Sequence, residues 1–177
     1  MKLFAKCLMI VLAATMVLTA CQKEEAGQDN TSAGETTTQE GASLPNDAPV
    51  DDRTLDEIYA DILEGVEAEM PALVTQKVKN STYSYYFGIS KPDGAVEAIV
   101  AEPSIGSIPF AITLLRVDSS VDADALAKEI KEKVDPRRWV CVAASYVETS
   151  VKGDVILLVL DGDNARGQEI VDAFAKG

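Results

Sequence analysis

Two strand-length runs, Phe110 to Val117 and Val155 to Leu160, are apolar on both faces, with Arg116 the one charged interruption. A strand with one face in water alternates polar and apolar residues, so each of these runs reads as a central strand of a covered sheet. The second follows Tyr146 to Val151 across Lys152-Gly153, a hairpin signature. The first follows a strand expected at about Ala95 to Ala101, opened by the turn Lys91-Pro92-Asp93-Gly94 and separated from Phe110 by Pro103 and Gly106.

Helical spacing brackets these hairpins. Leu55, Ile58, Tyr59, Ile62, Leu63, Val66 and Met70 share one face behind a capping box at Thr54 and Glu57, and Pro71 ends the run. Ala123, Leu126, Ala127, Ile130 and Val134 form a second face, with Ser120 as the expected cap. A third helix begins near Asn164, capped by Asp163, and buries Ile170, Val171 and Phe174. The predicted order is α-β-β-α-β-β-α: an α+β domain over residues 54–177, with about four strands in an antiparallel or mixed sheet and three packing helices.

The chain before this domain has a different character. Residues 1–20 carry Lys2 and Lys6, then an apolar run from Leu8 to Leu18, then small residues, the layout of an export signal. Leu18-Thr19-Ala20-Cys21 resembles the lipobox of bacterial lipoproteins, in which the cysteine sulfur is acylated and becomes the mature N-terminus. The resemblance implies lipidation at Cys21 and residence on the extracytoplasmic face of the cell membrane; an uncleaved anchor or an ordinary signal peptide is the alternative. Residues 22–53 are rich in Glu, Thr, Ser, Gly and Gln, and with Cys21 they read as a disordered acidic tether at 21–53. As a coil those 32 residues would span roughly 30 Å.

Composition removes whole classes of function. The formal charge of −13 and the 29 Asp plus Glu against 16 Lys plus Arg argue against nucleic acid, whose binding depends on basic surfaces that release counterions. Loss of residues 1–20 leaves 14 basic and 29 acidic side chains, a charge of −15, so the lipid itself would have to hold the protein at an anionic membrane. Histidine is absent, which excludes Ser-His and Cys-His catalysis and His-ligated zinc. No P-loop, paired-cysteine metal site or Ser-x-x-Lys motif is present, and no cofactor, metal or catalytic residue is expected.

The segments Ala101-Glu102-Pro103-Ser104-Ile105-Gly106-Ser107, Leu114-Leu115-Arg116-Val117, Arg138-Trp139-Val140-Cys141-Val142 and Gly153-Asp154-Val155-Ile156 resemble a family of small lipoproteins from Gram-positive, clostridia-type bacteria, built on a domain of unknown function. The resemblance spans about residues 55–175. It implies location and architecture, and it supplies no catalytic residue.

Three features invite a functional reading. Tyr83, Tyr85, Tyr86 and Phe87 are the most concentrated aromatic group and the candidate binding surface; packing into the core is the competing reading. Cys141 is the one thiol outside the signal and the lipobox, expected to be a buried small hydrophobe, with a thiol enzyme activated by Arg137 and Arg138 as the sharper alternative. Asp161-Gly162-Asp163-Asn164 resembles a fragment of a calcium loop but suits a turn and helix cap better. The functional expectation is a non-enzymatic interaction or assembly module that binds another envelope protein, with a small-ligand or cation receptor as the alternative.

Overall fold

A computed structural model describes residues 50–177. The expected signal segment, the expected lipidation site Cys21 and the expected tether as far as residue 49 lie outside the described residues. The elements in chain order are α1 (Leu55–Glu64), β1 (Leu73–Lys77), a 3-10 turn (Asn80–Thr82), α2 (Tyr83–Phe87), β2 (Ala95–Pro103), β3 (Phe110–Val117), α3 (Ala123–Lys133), β4 (Tyr146–Lys152), β5 (Val155–Asp161) and α4 (Asn164–Lys176). The class is α+β. The count of about four strands and three helices is corrected to five strands and four helices. The sheet runs β1-β2-β3-β5-β4, with antiparallel pairing throughout.

The predominantly apolar strands are explained by what covers them. Ile112 and Leu114 of β3 and Leu157 and Val159 of β5 pack on one side with Leu55, Ile58 and Ile62 of α1 and Ile170 and Phe174 of α4. Ala111 and Leu115 of β3 and Ile156 and Leu158 of β5 pack on the other with Phe87 of α2 and Leu126 and Ile130 of α3. Both faces are therefore dry, and alternate side chains of one strand feed two separate cores.

The helices also depart from their apolar patterns. Thr54 and Glu57 form the expected capping box, but α1 stops at Glu64, short of Val66 and Met70. At Gly65 a Cβ would stand 2.9 Å from the Cβ of Ala173, so α1 and α4 touch where only glycine fits. The Glu169 carboxylate then accepts from the amides of Glu67 and Ala68, replacing the helical bonds. α3 is capped by Asp122, which accepts from Ala125 N; Ser120 instead donates to Asp118. Asp163 caps α4 as expected.

The fold takes hold of the chain before Thr54. Arg116, which interrupts β3, donates to the carbonyls of Asp51 and Arg53, and the Asp51 amide donates to Asp154. The carboxylate of Asp154, 6% exposed, faces Arg116 Nε at 3.2 Å. The Arg53 guanidinium, hydrogen-bonded to Asp51, holds that carboxyl down at about 2. The chain thus enters at the end of the sheet that carries Ala95, Val117 and Val155.

Candidate functional site

The opposite end of the sheet holds the features that a partner could use. Of the four aromatics, Tyr83, Tyr86 and Phe87 are buried and Tyr85 is 47% exposed, so the quartet supplies core on one side of α2 and one accessible ring on the other. Tyr83 and Phe87 meet at 5.3 Å between centroids, while Tyr85 stands edge-on to Tyr86 at 4.9 Å.

These rings surround a buried cation that sequence reading treats only as a neighbour of Cys141. The Arg138 side chain is 2% exposed, with its Cζ 5.3, 5.2 and 4.7 Å from the ring centroids of Tyr85, Tyr86 and Trp139. Its Nη1 donates to the carbonyls of Tyr85 and Tyr86, orphan acceptors at the C-terminal end of α2. Nε and Nη2 have no hydrogen-bond partner among the described residues; the ring faces, and Glu102 at 3.8 Å from Nη2, compensate the charge. Arg138 therefore pins the loop after α3 onto α2 and β2. Burial lowers its pKa, opposed by the charge of Glu102.

Glu102 connects this cage to the sheet edge. The Tyr86 hydroxyl donates to Glu102 Oε1 at 3.0 Å and accepts from Gln76 Nε2 at 3.0 Å, joining α2, β2 and β1. Burial first, and then the neighbouring carboxylate, push the Tyr86 phenol up to about 12. A phenol that keeps its proton better when folded stabilises the fold fully below its unfolded value near 10, and that contribution is lost as the pH rises toward 12. An alkaline melting series should therefore fall across this window, and Tyr86→Phe should remove one late phenolate transition from the ultraviolet titration. Loss of a transition near the ordinary value of 10 instead would show that the phenol ionises outside the fold.

The loop after α3 corrects the reading of Cys141. The thiol is exposed, and its residue has φ +62°, alone among the described non-glycine residues in the left-handed region. The apolar run Trp-Val-Cys-Val fails as a core segment because Arg138 and Trp139 pack inward while Val140 N donates to Gly106 O, which turns the following residues outward. Cys141 has no histidine to activate it. Asp161 and Asp163 are committed elsewhere: Asp161 takes Arg166 Nε and Nη2, and Asp163 holds the amides of Ala165 and Arg166.

The apolar surface around the cage is uneven. Among the described residues, six large hydrophobics are exposed: Val50, Val74, Tyr85, Val96, Ile105 and Val140. Val50 and Val96 flank a depression of about 290 Å³ where the chain enters, beside Arg116 and Asp154. The other four belong to the far end. Val74 lies opposite Glu102 in the β1–β2 ladder, Tyr85 stacks on Arg138, and Val140 is tied to the β2–β3 turn that carries Ile105. Only the aromatic content of this end stands out in sequence; Val74, Ile105 and Val140 are isolated residues there, gathered by the sheet.

Comparison with family models, with curated proteins and with solved structures finds no match to this chain. No helix of the described residues is long and apolar enough to cross a membrane.

Proposed function

We propose that the protein is a lipid-anchored, extracytoplasmic interaction module of the cell envelope, of the clostridia-type lipoprotein family that its sequence resembles, and without catalytic chemistry of its own. The observation that carries this reading is the grouping of Val74, Tyr85, Ile105 and Val140 at the end of the sheet remote from the entry of the chain. Scattered exposed hydrophobics need no explanation, whereas a group around a cation–aromatic cage has the composition of a protein contact. The nine-residue β2 separates the two ends by about 26 Å, so a chain tethered at one end leaves the other free for a partner.

Two measurements test the two halves of this reading. Cys21→Ala should abolish acylation and release or misprocess the protein; a variant still on the membrane after a high-salt wash would refute lipid anchoring. Photo-cross-linking from Tyr85 in cells expressing the full lipoprotein should yield a discrete protein adduct. Correct localisation with no protein adduct would turn the reading toward a small-ligand receptor.

A further inference from the structure

The two edges of the sheet differ. β4 is partly buried along its whole length, with α3 and α4 packed against it. β1 lies open: Val74, Thr75, Gln76 and Lys77 are all exposed. The ladder register fixes which backbone groups are spare. Val78 N donates to Ala98 O at 2.8 Å, so Val78, Gln76 and Val74 direct their amides and carbonyls toward β2. Leu73, Thr75 and Lys77 consequently point theirs away from the sheet, where the described residues offer no partner. Pro103 opposite Leu73 agrees with this register, because a residue outside the hydrogen-bonded pairs needs no amide for β1.

We propose that β1 is the recognition strand of this module: an extended, cationic segment of another envelope protein adds to its free edge as a sixth strand. The proposal rests on the interaction reading above and gives it a mode. Strand addition draws affinity from main-chain hydrogen bonds and selectivity from the side chains beside them. Here the alternate residues Leu73, Thr75 and Lys77 supply the bonds, and Val74, on the β1 face that carries Gln76 toward Tyr86, supplies an apolar contact next to the Arg138 cage. Charge selects the occupant. Residues 50–177 hold 23 acidic and 13 basic side chains. Around β1, Lys77 pairs with Glu97 and Glu102 faces Arg138, which leaves Glu67 and Glu69 on the approach against Lys79. A second copy of so acidic a domain would be repelled, while a Lys- or Arg-bearing segment is steered in. The shortness of β1 and Lys77 on it are devices that limit indiscriminate pairing.

Thr75→Pro removes one outward amide and leaves every β1–β2 bond in place, since Thr75 lies outside the hydrogen-bonded pairs. The experiment places a photo-reactive benzoylphenylalanine at Val74 of the full lipoprotein in living cells and identifies adducts by mass, with and without Thr75→Pro. The expected result is an adduct to a basic segment of a second protein, reduced at least tenfold by Thr75→Pro in a lipoprotein that remains folded and membrane-bound. Should Thr75→Pro fail to fold, Lys77→Pro carries the same test. An adduct that survives both substitutions overturns strand addition, an adduct between two copies of this chain overturns the partner, and an acidic partner segment overturns the charge argument. Adducts from Tyr85 with none from Val74 reject β1 and keep the interaction module, whereas none from either position rejects both.

Discussion

Replacing Gly88 by alanine is expected to cost the domain about 3 kcal/mol, from about 1–2 for an alanine in the left-handed region and a further 1–3 for overpacking. Gly88 ends α2 at φ +71°, and its amide donates to Ser84 O. A Cβ there would stand 2.2 Å from the carbonyl oxygen of Lys133 and 2.5 Å from the amide of Val134, both backbone atoms that cannot swing aside. The contact lies between two elements whose neighbouring side chains, Phe87 and Ile130, are fully buried, so relief requires α2 and α3 to separate and open the core. Thermal melting should fall by roughly 10 °C for a domain of this size. A loss below about 1 kcal/mol in urea titration would mean that the end of α2 rides loosely on α3, against the hydrogen bonds that Arg138 makes to its last carbonyls.

The second large effect concerns the carboxylate at the end of β5. Asp161 is fully buried, with Arg166 Nη2 at 2.6 Å and Nε at 2.8 Å, and the Arg166 Cζ lies 4.9 Å from the Phe110 ring centroid. Arg166→Ala leaves that carboxylate unpaired in the interior and is expected to cost about 3–5 kcal/mol, the range for breaking a buried pair from one side. Arg166→Met combined with Asp161→Asn should recover most of the loss, because the amide oxygen can still accept from Asp163 N and no charge remains. Equal losses in the single and double variants would show that Arg166 acts through its contacts with Phe110 and the Glu69 carbonyl, not through charge.

Three regions show why parts of this fold escape sequence reading. β1 reads Leu-Val-Thr-Gln-Lys, five residues with no apolar alternation, because an edge strand held from one side needs no dry face. α2 is a five-residue aromatic turn whose helical state depends on Gly88 and on Arg138 reaching from the loop after α3, a contact between residues more than fifty positions apart. Cys141 sits in an apolar run that lacks the alternation to mark which side chains turn inward, and Arg138 takes the buried place that its charge would deny it in isolation.

Local chemistry carries the rest. The central strands, the hairpin at Lys152-Gly153, the capping box at Thr54 and the Asp163 cap are visible in sequence because each rests on periodicity or on bonds within four residues. Tertiary structure alone decided the strand order, the open edge of β1, the cage around Arg138 and the collection of Val74, Tyr85, Ile105 and Val140 at one end. Those depend on which distant segments pack together, and long-range packing leaves no periodic trace in the segments it joins.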